Sequence, residues 1–141
     1  MANGFYKIPT PKNEPVLSYA PGTNERKSLQ KALKECLSKE EDLPMYIGSD
    51  RVRTGNKVPI NPPHDHQHIL GYYHMGDGSH IEQAINAALG AKERWANLSW
   101  EHRASIFLKA ADLISSKYRY ILNAATMLCQ SKDPHQSEMM Q

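Results

Sequence analysis

Residues 77–130 decide the fold, and they read DGSHIEQAINAALGAKERWANLSWEHRASIFLKAADLISSKYRYILNAATMLCQ. Through most of this stretch apolar residues recur at intervals of three and four, which gathers them on one face of an α-helix. The pattern predicts two amphipathic helices followed closely by a third. Residues 79–130 are therefore expected to form a helical block.

The first of these helices is predicted to begin at Ser79, because Ser79 and Glu82 have the spacing of a capping box. Its apolar face predicts a side that is buried in the fold. The residues of that face are Ile81, Ala84, Ile85, Ala88, Leu89 and Trp95. Gly90 lies inside the helix, where glycine costs roughly 1 kcal/mol relative to alanine. We expect either close packing against Gly90 or a tolerated defect.

The second helix is predicted to begin near Ser99 or Trp100 and to have a wide core face. That face comprises Ala104, Ile106, Phe107, Ala110, Ala111, Leu113 and Ile114. The pair Ser115-Ser116 weakens the helical pattern, so we expect a break or a bend there. A third helix over about 117–130 would then bring together Ile121, Leu122, Ala125 and Leu128.

The N-terminal 40 residues contain a proline-rich segment and one further helix. Residues 1–22 are predicted to form an extended arm, because each proline removes a backbone donor and disfavours the helical region for the residue before it; a partly disordered terminus is the alternative. The arm's apolar residues Val16, Leu17 and Tyr19 would need another surface to lie on. Residues 23–40 are predicted to form a helix capped by Thr23. Its apolar stripe is Leu29, Leu33, Cys36 and Leu37.

Between this helix and the helical block, the alternation of residues 43–75 predicts four short strands. Residues 45–47 and 51–54 read as a hairpin, and 57–61 and 67–75 read as two more strands. The residues of the hairpin turn are Gly48, Ser49 and Asp50. With a tail at 131–141, the expected fold class is mixed α/β.

Charge and hydropathy exclude some partners. The formal charge of +2 arises from 17 basic and 15 acidic residues spread along the chain, so we expect neither nucleic acid nor an anionic membrane surface as a partner. No run of about 18 apolar residues predicts a membrane span. The first residues lack the features of a signal or transit peptide, so the expected compartment is the cytoplasm.

The two cysteines, Cys36 and Cys129, lie too far apart in sequence to form a metal-binding or redox motif, and they read as reduced thiols. Cys36 is predicted to be a packing residue. Cys129 ends a predicted helix, whereas thiolates are stabilised at helix N-termini. We therefore do not assign Cys129 as a nucleophile.

Histidines cluster in the segment His64-Asp65-His66-Gln67-His68, and His74 follows. In an extended segment His64, His66 and His68 would share one face, and neutral imidazoles are good zinc or copper ligands. The alternative is a polar loop that enters a strand, with histidines bonded to backbone and solvent. The loop interpretation is favoured, and a metal site at His64, His66 and His68 is the second hypothesis.

Several separate blocks of sequence follow the order found in one known family. They are Asn13-Glu14-Pro15-Val16-Leu17, Pro21-Gly22, Glu25-Arg26, LQKAL at 29–33, Ile47-Gly48, PHDHQH at 63–68, residues 81–89 with Trp95, RASIFLKAAD at 103–112, ATML at 125–128 and Gln130-Ser131-Lys132. With these blocks the chain resembles the N-terminal part of the 1-pyrroline-5-carboxylate dehydrogenases, within the aldehyde dehydrogenase superfamily. The resemblance covers about residues 13–138.

The resemblance implies an NAD-dependent enzyme that oxidises glutamate γ-semialdehyde to glutamate in proline breakdown, through a cysteine nucleophile. It also implies that the catalytic cysteine, the oxyanion asparagine, the water-activating glutamate and the NAD-contacting loops belong to later regions of such enzymes. The chain alone is therefore expected to hold an incomplete Rossmann-like domain, to have no catalytic or cofactor-binding residue, and to be inactive. NAD is the implied cofactor of the full-length enzyme, and no cofactor is expected for this chain alone.

One functional residue carries over from the family, namely Glu138, as a glutamate on the substrate side. The alternative is a solvated glutamate at a frayed terminus. The chain departs from the family pattern here, since Cys129 stands where the family tends to have glycine and Pro134 interrupts the tail. The implied partners are the remainder of the dehydrogenase or homo-oligomeric subunits. A non-catalytic module that associates with full-length subunits is the alternative function.

Overall fold

The computed structural model describes residue 10 and residues 12–139. Residues 1–9 and Pro11 of the predicted arm, and Met140 and Gln141 of the predicted tail, lie outside the described residues. The elements in chain order are α1 Asn24–Leu37, β1 Glu41–Leu43, β2 Met45–Ile47, β3 Asp50–Val52, β4 Lys57–Ile60, β5 Gly71–His74, α2 Gly78–Ala96, α3 Trp100–Ser115, α4 Arg119–Gln130 and α5 Pro134–Glu138. The predicted mixed α/β architecture is confirmed.

The strands of the described part of the chain form two small sheets. One has the order β1-β5-β4, with β1 parallel and β4 antiparallel to β5, and the other is the predicted hairpin of β2 and β3. Gly48 has a φ of 61° in the hairpin turn, a conformation that glycine adopts without a steric cost. Four strands are predicted, and residues 12–139 contain five. The strand that was not predicted is β1, a short segment whose first residues, Glu41 and Asp42, show no apolar alternation.

The buried core lies where α1 packs against α4. Leu29 and Ala32 of α1, Ala124 of α4 and Tyr19 of the arm form it. The residues that pack against this core are Leu17, Leu33, Cys36, Tyr120 and Met127. Leu17 and Tyr19 of the predicted arm therefore pack against α1 and α4, which provide the surface that the arm was expected to need. Cys36 is confirmed as a packing residue.

Side-chain caps define most helix starts. Thr23 accepts from the amide of Arg26, so its predicted cap is confirmed. Ser99 accepts from the amide of His102, at the place where the second helix of the block is predicted to begin. The predicted capping box of Ser79 and Glu82 is wrong. The carboxylate of Asp77, in an extended conformation one residue before the helix, accepts from the amides of Ser79 and His80. An ionised acceptor closer to the N-terminus thus fixes the first turn.

The helical structure is also interrupted at Ser115-Ser116, as predicted, since α3 ends at Ser115 and α4 begins at Arg119. Pro134 does not disturb the tail. It occupies the first turn of α5, where its missing amide hydrogen is tolerated, and Asp133 and Gln136 form a capping box around it. None of the helices in residues 12–139 is long and apolar enough to cross a membrane.

The predicted burial of α2 and of the wide face of α3 is wrong for this chain. Within the described residues neither helix contains a buried position. The exposed apolar residues that we call the open face are Ile81, Ile85, Leu89 and Trp95 of α2 and Phe107 of α3. Trp95 and Phe107 meet edge to face at 6.4 Å. A periodic pattern shows that a face is apolar, but it does not show which polypeptide covers it.

Gly90 provides a direct test of α2. An added Cβ at Gly90 would meet no atom within 4 Å, which favours the tolerated-defect interpretation. Gly90→Ala should therefore raise the free energy of unfolding by about 0.5 to 1 kcal/mol in urea titrations. Gly71→Ala is the matched control and should destabilise the chain, because its Cβ would lie 2.2 Å from the carbonyl oxygen of Glu41. A destabilised Gly90→Ala would contradict this interpretation.

Candidate functional site

Glu138, the one functional residue that the family resemblance supplies, is the last residue of α5. Its side chain is 3% exposed. The cap at Asp133 starts α5 and turns the chain, so that Glu138 lies against the arm and α4. The alternative of a solvated glutamate at a frayed terminus is therefore wrong, because the residue is buried among polar partners.

Three side chains bind the carboxylate of Glu138, and we call the four residues together the Glu138 network. Arg119 Nη2 forms an ion pair with Oε1 of Glu138. The hydroxyl of Tyr19 donates to Oε2 at 2.5 Å, and Nδ2 of Asn123 donates to Oε2 at 2.6 Å. Nδ2 of Asn123 also lies 2.9 Å from the Tyr19 hydroxyl oxygen. Charge-assisted hydrogen bonds of this kind are the stronger ones in proteins.

Helical spacing places two of these partners. Arg119 and Asn123 are four residues apart on α4, so their side chains project from the same side of the helix. The arm supplies the remaining contacts. Tyr19 donates to Glu138, and the carbonyl oxygen of Pro15 accepts from Arg119 Nη2 at 2.7 Å. The network thereby joins three distant parts of the chain, the arm, α4 and α5.

Tyr19 has an unusual backbone and a perturbed hydroxyl. Its φ of 48° lies in the left-handed region, which costs a residue with a Cβ about 1 to 2 kcal/mol. Its carbonyl oxygen accepts from Arg26 Nη1 at 3.3 Å. Burial raises the pKa of the Tyr19 hydroxyl, and the nearby Arg119 offsets only part of that rise. Tyr19 is therefore protonated at neutral pH and acts as a donor to Glu138.

The hydrogen bonds to the Glu138 carboxylate limit the chemical roles that this residue can have. Its two oxygens accept from a guanidinium, a phenol and an amide, which favours a structural anchor over a free general base. Arg119 and Glu138 also border an open cavity of about 380 Å³, together with residues 12–16 and Met139. The predicted contact between Glu138 and a substrate stays a prediction.

The histidine segment does not form a metal centre. No three His, Cys, Asp or Glu side chains within residue 10 and residues 12–139 lie close enough to hold a metal ion. The segment folds as turns, and Asn61 Nδ2 donates to the carbonyl oxygens of His66 and His68 at 3.1 and 2.8 Å. His64 Nδ1 lies 2.8 Å from Ser131 Oγ. The shared face that His64, His66 and His68 would need requires an extended segment, whereas β5 begins only at Gly71.

A polar cluster around His74 was not predicted from the sequence. His74 is 4% exposed, and its Nε2 lies 3.0 Å from Oδ1 of Asp42 in β1. Its Nδ1 lies 2.9 Å from the amide nitrogen of Thr54. Arg53 and Lys57 also bind the Asp42 carboxylate, at 2.7 and 2.9 Å. The only sequence signal was a histidine in a strand of otherwise apolar neighbours, and β1 itself was missed.

Asp42 should make the stability of the chain depend on pH in the acid range. Its pKa lies well below the ordinary 3.8, first because Arg53 donates to it and then because Lys57 does, with a smaller effect of His74. A carboxyl whose pKa is lower in the folded state stabilises the fold above its unfolded pKa, and this stabilisation is lost as the pH falls toward the folded pKa. Asp42→Asn should flatten the fall in urea midpoint below about pH 4. An unchanged slope would contradict this role.

Neither cysteine has the surroundings of a catalytic thiol. Burial raises the pKa of both Cys36 and Cys129, which lowers the thiolate fraction at neutral pH. Cys129 lies in the last turn of α4, as predicted, away from the helix N-terminus.

Comparison with known proteins places the chain among aldehyde dehydrogenases. Residues 51–139 match the aldehyde dehydrogenase family. A delta-1-pyrroline-5-carboxylate dehydrogenase of Agaricus bisporus is 49% identical over 135 residues, which are 95% of this chain and 25% of that protein. The mitochondrial delta-1-pyrroline-5-carboxylate dehydrogenase of Dictyostelium discoideum is 36% identical over 132 residues, or 94% of this chain and 24% of that protein.

Solved structures of relatives also match nearly the whole chain. One of them is the Delta-pyrroline-5-carboxylate dehydrogenase of Mycobacterium tuberculosis bound with NAD and cobalamin, at a TM-score of 0.94 and 36% identity. The match covers 99% of this chain and 26% of that one. The chain therefore spans about a quarter of the length of the relatives that it matches.

Proposed function

The chain belongs to the aldehyde dehydrogenase family, and from that premise we propose that it is the N-terminal part of a 1-pyrroline-5-carboxylate dehydrogenase. The proposed reaction is the NAD-dependent oxidation of glutamate γ-semialdehyde to glutamate, a step of proline breakdown. The observation that carries the proposal is the 49% identity to the Agaricus bisporus enzyme across 95% of this chain. The fold supports it, since the TM-score to the Mycobacterium tuberculosis enzyme is 0.94.

Within that enzyme the chain supplies structure and no catalytic step. We assign it no catalytic residue and no cofactor-binding residue, and NAD is the proposed cofactor of the whole enzyme, as it is bound in the Mycobacterium tuberculosis relative. The core of α1 and α4 and the Glu138 network hold the segment together. The open face supports the proposal that the remaining dehydrogenase regions, or subunits of a homo-oligomer, cover α2 and α3.

Glu138 is the one candidate for a contact with the substrate. In the whole enzyme, a Glu138→Gln variant with a raised KM for the semialdehyde and an unchanged melting temperature would support that contact. A lower melting temperature with an unchanged KM would instead favour the structural role that its bonded geometry suggests.

The compartment is also a proposal. The cytoplasm is the compartment we propose, whereas the Dictyostelium discoideum relative is described as mitochondrial. Fractionation of the source cells, with the natural polypeptide followed by immunoblot, distinguishes the two.

A chimera tests the proposed activity. This chain would replace the matching quarter of the Agaricus bisporus enzyme, and NADH formation from glutamate γ-semialdehyde would be followed by absorbance. We expect the chimera to be active and the 141-residue chain alone to be inactive. A chimera that folds, with native circular dichroism and a cooperative thermal transition, but forms no NADH would contradict the proposal.

The alternative function is a non-catalytic module that associates with full-length dehydrogenase subunits. The open face favours it, because exposed apolar surface of this kind marks interaction sites. Analytical ultracentrifugation of the chain mixed with the full-length Agaricus bisporus enzyme tests it. A complex whose fraction increases with protein concentration would support it. A chain that stays monomeric at all concentrations would count against it. Ile85→Glu, in the middle of the open face, should weaken such a complex, and Glu82→Gln is the matched control on α2.

A further inference from the structure

The two thiols of the chain open into one cavity, although they are far apart in sequence. Cys36 lies in the last turn of α1 and Cys129 lies in the last turn of α4. Both line a cavity of about 490 Å³ between these helices and the three-stranded sheet. Its other walls are mostly apolar and include Leu43, Ile60 and Leu128. Folding thus places two cysteines that show no motif in the sequence along the walls of one cavity.

The position of the two thiols is set by packed helices. Leu29 and Ala32 of α1 meet Ala124 of α4 in the buried core, and Cys36 packs against the same cluster. Because α1 packs against α4 through this core, the last turns that carry the two cysteines border the same cavity in the folded chain. Both thiols are free, and Cys129 is exposed whereas Cys36 is partly buried, so a small oxidant can reach Cys129 directly.

We propose that Cys36 and Cys129 are a redox-active pair, which a peroxide converts into an intramolecular disulfide that links α1 to α4. In the first step one thiol is oxidised by hydrogen peroxide to a sulfenic acid, and one water is released. In the second step the other thiol attacks the sulfenic sulfur, the S–S bond forms and a second water leaves. The two cysteines lose two electrons and two protons, and the peroxide is reduced.

The surroundings of the thiols set the rate and the consequence of this reaction. Burial raises the pKa of each thiol, so the reaction with peroxide should be slow at neutral pH compared with that of an exposed thiolate. The bond would close a loop that contains most of the chain, and a crosslink across a long loop restricts the unfolded state most strongly. Oxidation should therefore stabilise the fold.

Peptide mapping of the 141-residue chain tests the proposal. The chain is treated with hydrogen peroxide, digested without reductant and analysed by mass spectrometry. We expect a crosslinked pair of peptides that contain Cys36 and Cys129, from monomeric protein, and its loss on treatment with dithiothreitol. The melting temperature should rise by roughly 5 to 15 °C on oxidation and return on reduction.

The serine variants complete the test. Cys36→Ser and Cys129→Ser should each abolish the crosslink and the rise in melting temperature, and each should leave the reduced chain folded. Independent oxidation of the two cysteines to sulfinic or sulfonic acids would overturn the proposal. Disulfides between two copies of the chain, or a chain left uncrosslinked by excess peroxide, would overturn it as well.

Discussion

Replacing Arg119 by methionine should lower the free energy of unfolding by about 3 to 5 kcal/mol, the largest loss that we expect from a single substitution. The substitution leaves the carboxylate of Glu138 buried without its ion pair, and the side chain of Glu138 is only 3% exposed. An unpaired buried charge costs far more than the pair itself contributes, because its desolvation is no longer compensated. Urea denaturation followed by circular dichroism measures the loss.

The exposed ion pair of Lys109 and Asp112 supplies the matched control. Its two side chains are 66% and 64% exposed, so Lys109→Met should change the free energy of unfolding by no more than about 0.5 kcal/mol. The double variant with Arg119→Met and Glu138→Met should recover part of the loss, since it removes the buried charge as well. Equal effects of Arg119→Met and Lys109→Met would contradict the importance of the Glu138 network.

Replacing Leu29 by alanine should cost about 2 to 5 kcal/mol, because it removes a core side chain and leaves a cavity between α1 and α4. Leu29 is 3% exposed and contacts the cluster of Tyr19, Ala32 and Ala124. The same urea titration measures the change, and the midpoint should shift without a large change in slope.

Leu37 on the same helix is the control for Leu29. It is 42% exposed, so Leu37→Ala makes the same chemical change while it removes much less buried surface. We expect it to cost less than about 1 kcal/mol. If Leu37→Ala were as destabilising as Leu29→Ala, the core would not lie where α1 meets α4.

The local features of the fold could be predicted from the sequence. Thr23 and Ser99 act on amides within the next three residues, so their capping roles can be inferred from a short window. The cap of α2 is the exception among these local features, because two candidate capping residues lie close together in the sequence. Asp77 and Ser79 both have capping side chains, and periodicity alone does not decide between them; the ionised side chain of Asp77 caps the helix.

The features that depend on distant contacts could not be predicted in this way. Strand β1 is short, and it is a strand because it pairs with β5 some 30 residues later. The burial of Glu138 depends on Arg119 in α4 and on Tyr19 in the arm, and none of these residues signals the others in sequence. The family resemblance identified Glu138 as a residue of interest, but the ion pair with Arg119 came only from the fold.

The open face shows a further limit on what the sequence can predict, namely which apolar faces are buried. The spacing of Ile81, Ile85 and Leu89 correctly indicates an amphipathic helix, yet each of these side chains is more than half exposed. The chain spans about a quarter of its relatives, and an apolar face whose cover belongs to other residues looks the same in sequence as one covered within the chain. Burial is therefore less predictable than periodicity.

The intact mass of the natural polypeptide that carries this sequence, measured after immunocapture from the source cells, tests the proposed dehydrogenase most directly. We expect a mass several times larger than the 16.0 kDa of this chain, in a fraction that reduces NAD when glutamate γ-semialdehyde is supplied. A mass near 16.0 kDa, in a fraction without that activity, would contradict the proposal and favour the non-catalytic module.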